Sequence, residues 1–308
     1  MKVFVAGAAG AIGKRLVPKL VERGHDVTAT SRQPGKLDDL RALGARPVVM
    51  DGLDPAAISE AVGQAEPDAI VHQMTALSGT ADLRRFDRWF ATTNELRTKG
   101  TEYLLEAARA AGVKRFIAQS YTGWSNERTG GPVKSEADPL DPEPAKAQRN
   151  ALAAIRFLDR VVPEAPLVGI VLRYGNFYGP GASEDLVELV RKRRFPIIGD
   201  GAGVWSWIHI DDAAGATAAA LERGDSGAYN VVDDEPAPVS EWLPHLAEAV
   251  GAKPPMRVPK WLGRLAAGEV AVRWMTEGRG SSNEKAKREL DWEPAWPSWR
   301  DGFERALG

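Results

Sequence analysis

Three glycines at a fixed spacing carry the first chemical signal. Gly7, Gly10 and Gly13 recur every third residue directly after the apolar run Val3-Phe4-Val5-Ala6. At a strand-to-helix turn, glycine bends tightly and lets backbone N–H groups approach a pyrophosphate. The first helical residues, here Ala11 and Ile12, add unpaired donors and the positive end of the helix dipole. A tight turn without ligand uses glycine too, but the strand–helix context favours the phosphate reading. The next strand ends in Thr30-Ser31-Arg32, where an acidic residue would hydrogen-bond an adenosine ribose. Asp26 is acidic but stands at the other end of that strand. Ser31 and Arg32 suit a 2′-phosphate, which arginine grips through a charge-assisted fork; Lys14 or Lys36 would add charge. A solvated surface arginine is the plainer alternative.

Composition excludes other chemistries. The chain has no cysteine, which removes disulfides, thiolate metal sites and a cysteine nucleophile. Its four histidines contain no His-x-x-x-His pair, so no metal site is expected. Forty Lys+Arg against 42 Asp+Glu leave a formal charge of −2, against a nucleic-acid surface. No apolar stretch reaches the roughly 18 residues of a membrane helix, and Val3–Ile12 is interrupted by Gly7 and Gly10, unlike a signal peptide. With 44% hydrophobic and 27% charged residues, a cytoplasmic globular protein is expected. Its partner would be a small-molecule substrate, with no nucleic acid and no membrane; a homodimer is left open.

These residues need a scaffold, and the hydrophobic periodicity supplies one. Lys2–Ala6, Asp26–Thr30, Arg46–Met50, Ala69–Val71 and Arg115–Gln119 read as strands. Between them, Ile12–Arg23 and Leu37–Leu43 read as helices, and Asp54-Pro55 opens a helix towards Val62. A long helical tract runs from about Leu83 to Ala111. Residues 125–146 read as a loop, followed by helix Ala147–Arg160 and strand Leu167–Arg173. Trp205–Ile210, Asp212–Leu221 and Ala228–Val232 suggest another strand–helix–strand return to the sheet, and Ser298 caps a last helix. Helices of this length between strands imply right-handed crossovers and a parallel sheet. The expected class is α/β, a doubly wound parallel sheet with a smaller, mostly helical substrate lobe. Residues 1–173 would form the dinucleotide-binding domain, completed by about 205–232; 174–204 and 233–308 would form the discontinuous lobe.

Further segments agree in order with one known pattern. They are Asp51 after the third strand, Gly100-Thr101 before Leu104-Leu105-Glu106-Ala107-Ala108, and Leu172-Arg173-Tyr174-Gly175-Asn176-Phe177-Tyr178-Gly179-Pro180. Ile208-His209-Ile210-Asp211-Asp212 and Tyr229-Asn230-Val231 follow. With the glycine motif, they make the chain resemble the extended short-chain dehydrogenase/reductase family, which contains nucleotide-sugar epimerases, dehydratases and related reductases. The resemblance implies a Rossmann-type fold and a bound dinucleotide. It implies that Asp51 accepts from the adenine amine beside Gly52, that Met74 lines the nicotinamide ribose region, and that Tyr174 joins the cofactor contacts. Asn176 falls on the substrate side. His209 belongs to a motif that looks structural, with Asp212 expected to cap the next helix.

Two departures from the family bear on the reaction. Most members carry Tyr-x-x-x-Lys on the helix after the fifth strand, where the tyrosine exchanges a proton with the substrate. The five tyrosines here are Tyr103, Tyr121, Tyr174, Tyr178 and Tyr229, so none lies between 122 and 173. Lys146 is the candidate for the lysine, and the register also admits Arg149 or Asn150. Phe116–Tyr121 brings two hydroxyls to the carboxyl edge of the sheet, the ligand-binding edge of doubly wound folds. Tyr121 is therefore expected as the replacement proton donor. Ser120 would orient substrate or phenol, and a cation such as Lys146 would lower the phenol from its usual ~10. The alternative has Tyr121 packed against Trp124. Secondly, Trp205 stands where nucleotide-sugar enzymes carry a diphosphate-clamping arginine. An indole stacks on apolar or aromatic ligands, or packs with Trp207 into a core. Arg279 is expected to enter the pocket from the C-terminal lobe. The expected activity is an NADP(H)-dependent oxidoreductase, with NADPH preferred over NADH, acting on a small carbonyl, hydroxyl or activated alkene compound without a nucleotide. Epimerisation or dehydration with retained cofactor, and a non-catalytic sensor, are the alternatives.

Overall fold

The computed structural model describes residues 1–77, 79 and 82–307. Its centre is a seven-stranded, all-parallel sheet. The strands are β1 (Lys2–Ala6), β2 (Asp26–Ser31), β3 (Arg46–Val49), β4 (Ala69–His72), β5 (Arg115–Tyr121), β6 (Val168–Tyr174) and β7 (Gly227–Val231), in the order β7-β6-β5-β4-β1-β2-β3. Five helices matter for the site: α1 (Ala11–Glu22), α2 (Pro55–Ala65), α3 (Thr101–Ala110), α4 (Arg149–Val161) and α5 (Ile210–Ala220). Alternation along β1 sends Val3 and Val5 into a core with Leu16, Leu20 and Ala213, so α1 and α5 cover one face. Phe4 and Ala6 meet Ile58, Leu104 and Leu158 on the other, under α2, α3 and α4. A strand buried on both faces needs a continuous apolar run, which is how β1 reads. Strand order reverses between β1 and β4, and this switch point is where doubly wound sheets open a crevice.

A third, aromatic core lies beyond the sheet. Trp205, Trp207, Trp242, Trp299 and Phe303 pack there with Tyr178. The segment 205–210 does not join the main sheet. Trp207–His209 pairs instead with Asn176–Tyr178 in a separate parallel ladder, and Val204–Trp205 pairs with Ala237–Pro238. Only β7 returns to the main sheet, beside β6. The helical tract after Leu83 is also broken. Short helices Phe86–Trp89 and Ala91–Glu95 lead into a π-turn at Leu96–Gly100 before α3. Asp212 does not cap α5. His209 does so, with Nδ1 accepting the Asp211 N–H at 3.2 Å, while the Asp212 carboxylate reaches across to accept the N–H groups of Ala295 and Trp296 at 3.0 and 2.9 Å. Ser298 caps the last helix, Trp299–Leu307, by accepting the Arg300 N–H at 3.1 Å. Among the described residues, no helix is long and apolar enough to cross a membrane.

Candidate functional site

A cleft of about 240 Å³ opens at the carboxyl ends of β1, β2 and β4, and a cavity of about 770 Å³ continues from it towards the aromatic lobe. Gly10, Gln73 and Thr75 line both. The backbone makes this geometry depend on glycine. Gly7 sits at φ +85°, and a Cβ there would stand 2.8 Å from the Met74 nitrogen. A Cβ on Gly13 would stand 2.3 Å from the Ala8 carbonyl oxygen. Gly10 begins α1 with no side-chain cap, so the first-turn N–H groups have no cap oxygen. Gly10, Ala11, Ile12 and Gly13 all line the cavity. A bare helix end beneath a close-packed turn fits a pyrophosphate.

The rest of the cleft mixes polar and apolar residues. Ser31, Arg32, Lys36, Asp51, Gly52 and Met74 line it. Ser31 Oγ accepts the Gln33 N–H at 3.0 Å and holds the turn that presents Arg32. Arg32 is exposed and forms no ion pair among the described residues, whereas Lys36 lies 3.6 Å from Asp39. Lys14 is not among the lining residues. Asp51 keeps one carboxylate oxygen on the Leu53 N–H at 3.0 Å. Gly52 gives room for the Met74 sulfur, which a Cβ would meet at 2.4 Å.

His72 fastens two walls of this cleft. Its Nδ1 accepts the Met74 N–H at 3.2 Å and its Nε2 donates to the Leu96 carbonyl at 3.1 Å. Burial pushes the imidazole down to about 4, so it is neutral at pH 7. Its folded-state value lies below the unfolded one, so its contribution to stability is complete above about pH 6.5 and is lost as pH falls towards 4. The full effect is about 3 kcal/mol at 1.36 kcal/mol per unit. Thermal unfolding at stepped pH checks this: the wild type should lose Tm across that window, and His72→Gln should start lower and fall less.

The larger cavity is walled by tryptophan. Trp205 stacks on Trp274 with ring centres 4.1 Å apart, and its Nε1 donates to the Trp274 carbonyl at 3.1 Å. Trp89, Phe177, Phe195 and Trp207 extend the wall. Its described lining includes no lysine, arginine or histidine; the charged residues are Glu184 and Asp185.

The other expected site residues fall in several places. Tyr121 donates to Asn176 Oδ1 at 3.1 Å and stacks on Trp124 with ring centres 5.7 Å apart. Burial raises its phenol above the usual tyrosine range. Ser120, on the opposite face of β5 from Gln119, is buried with its hydroxyl unpartnered among the described residues. Lys146 is exposed and makes no ion pair or side-chain hydrogen bond among the described residues. Tyr174 is fully buried and lies behind the cleft wall, its hydroxyl shared with Thr217 and Gln73. Asn176 lines the cavity with both ends committed, accepting from Tyr121 and donating to the Ser206 carbonyl at 3.1 Å. Arg279 turns back on its own segment, donating to the Glu277 and Gly278 carbonyls, and does not line the cavity. Sequence reasoning missed Gln73, Thr75 and Gln119. A glutamine directly after the apolar run Phe116-Ile117-Ala118 and another directly after β4 were the available signals.

Known proteins share this architecture. A family model described as the NAD dependent epimerase/dehydratase family matches residues 3–232. The 3-diazoavenalumate denitrifying reductase of a Streptomyces species is 43% identical over 99% of this chain and 100% of its own. The 2-alkyl-3-oxoalkanoate reductase of Stenotrophomonas maltophilia is 29% identical over 82% of this chain and 76% of its own. Among solved structures, a dTDP-glucose 4,6-dehydratase from Streptomyces venezuelae with NAD bound is 25% identical, with a TM-score of 0.76 over 100% of this chain and 96% of that one. By the extent of these matches, the chain belongs to the NAD-dependent epimerase/dehydratase family, whose members use a nicotinamide cofactor.

Proposed function

We propose that the protein is an NADPH-dependent reductase of an aromatic small molecule that carries no nucleotide, and that its reaction draws no proton from the protein. One observation carries the reading: among the described residues, a tryptophan-walled cavity lined by no cation meets the cofactor cleft at Gln73 and Thr75, and no ionisable group lines the junction. Bound at the glycine turn, NADPH supplies hydride to an electrophilic carbon. Gly10–Gly13 hold the phosphates, Asp51 and Met74 flank the adenine and ribose, and Arg32 with Ser31 meets the 2′-phosphate. The indoles of Trp205 and Trp274 form the stacking surface for the substrate ring.

The electrophile follows from what the site lacks. A ketone that accepts hydride becomes an alkoxide and must find a proton. An aryl diazonium that accepts hydride becomes arene and dinitrogen (ArN₂⁺ + H⁻ → ArH + N₂), and no proton is needed. The reductase relative at 43% identity is named for a diazo compound, which supports this class. Indole faces attract a cationic arene, and Glu184 and Asp185 at the cavity favour a cation over an anion. Tyr121, bonded to Asn176 and far from easy ionisation, serves here to position the cavity wall. Tyr121→Phe should therefore leave kcat within about 3-fold; a loss of ~10²-fold, the scale of general acid catalysis, would return the phenol to the role of acid and the substrate to a carbonyl.

Cofactor choice is tested separately. NADPH should bind at least ~10-fold more tightly than NADH, a difference of about 1.4 kcal/mol. Titration by intrinsic tryptophan fluorescence measures both. Arg32→Ala should erase the preference by weakening NADPH alone; an unchanged ratio would remove Arg32 from the 2′-phosphate site.

A further inference from the structure

Among the described residues, Gln73 is the one side chain at the meeting of cleft and cavity whose hydrogen bonding runs in a fixed direction. It is 5% exposed and lines both spaces. The direction is set from behind. Thr217 Oγ1 donates its single proton to the Ala213 carbonyl at 2.7 Å. The Tyr174 hydroxyl, 2.7 Å from Thr217 Oγ1, must then donate to it. That leaves the Tyr174 oxygen to accept from Gln73 Nε2 at 3.2 Å. The amide of Gln73 cannot turn over without breaking this series. Its Oε1 is buried and has no partner among the described residues, although an unmet buried acceptor costs about 1–3 kcal/mol. A donor from outside the protein is the natural complement.

We propose that Gln73 Oε1 receives the carboxamide N–H of the bound nicotinamide and so fixes the rotation of that ring. This rests on the cleft being a nicotinamide-dinucleotide site. The reacting ring has to lie between the phosphate turn and the substrate cavity, and Gln73 stands at that boundary. The carboxamide carries the N–H donors of the nicotinamide ring, and an acceptor whose own N–H₂ is tied down selects the rotamer that presents them. Tyr174 and Thr217 are positioning residues that act through Gln73.

The test compares NADP with its 3-acetylpyridine analogue, in which a methyl group replaces the carboxamide nitrogen. Binding of each is followed by tryptophan fluorescence, with thermal unfolding as a check on folding. The wild type should bind the analogue ~10-fold more weakly, the value of about one neutral hydrogen bond. Gln73→Leu should bind NADP ~10-fold more weakly than wild type and treat the two ligands alike. Tyr174→Phe, which frees the amide to turn, should keep the fold and reduce the discrimination to ~3-fold or less; if Gln73→Leu does not fold, this variant and the wild type decide. Equal affinities in the wild type, or full discrimination in either variant, would overturn the assignment while leaving the cofactor site in place. Failure of the wild type to bind either ligand would overturn both.

Discussion

Gly13→Ala should weaken NADPH binding by at least ~100-fold, about 2.7 kcal/mol. The added Cβ would meet the Ala8 carbonyl oxygen at 2.3 Å and the Ala8 carbonyl carbon and Cα at 2.5 Å. These are backbone atoms, so no rotamer change relieves them. The first turn of α1 has to lift from the glycine loop, and its uncapped N–H groups leave the positions that suit a pyrophosphate. Overpacking of this kind also lowers stability by about 1–3 kcal/mol. Fluorescence titration with NADPH and a thermal melt measure the two effects. Gly63→Ala in α2 is the control: a Cβ there meets nothing within 4 Å, and replacing a helical glycine should be neutral or stabilising by up to about 1 kcal/mol. Wild-type NADPH affinity in Gly13→Ala would remove the turn from the phosphate site.

Trp205→Ala should separate the two spaces. Trp205 is 4% exposed and packs against Trp242, ring centres 4.9 Å apart, as well as stacking on Trp274. Removing so large a buried side chain costs about 3–5 kcal/mol, read as a marked fall in Tm. Trp205 does not line the cofactor cleft, so NADPH affinity measured below the new melting range should stay within about 2-fold. Binding of an aromatic substrate should weaken far more, and Trp205→Phe, which keeps a stacking ring, should restore most of both. A large NADPH defect in the folded alanine variant would mean that cleft and cavity are one energetic unit.

The sequence was most legible where the backbone dictates residue type. Gly7 and Gly13 could be placed because a positive φ at Gly7 and a close backbone approach at each tolerate little else, and the apolar runs of β1 and β4 follow from burial on both faces. Strand ends were less legible. β5 runs two residues past Gln119 because β6 continues beside it to the pair Tyr121 and Tyr174, a partnership that polar side chains conceal. Local alternation also could not tell which ladder Trp207–His209 would join, because pairing is a long-range choice. His209 as a helix cap was hidden because imidazole is outside the usual set of capping side chains. At the site, composition named the cations but not their exposure: Lys146 lies in solvent, and Arg279 is held by carbonyls of its own segment. Gln73 was missed because its importance comes from Tyr174 and Thr217, residues far away in sequence that fix its direction.

The most direct test of a reduction that draws no proton from the protein uses NADPH deuterated at the transferred position and a benzenediazonium salt. Absorbance at 340 nm, released dinitrogen and deuterium in the arene are followed together, each against a protein-free control. Above that control, the wild type should consume one NADPH per dinitrogen, place deuterium on the carbon that lost nitrogen, and turn over at the same rate as Tyr121→Phe to within about 3-fold. No dinitrogen above the control, together with reduction of a carbonyl compound that Tyr121→Phe slows by ~10²-fold, would contradict the account.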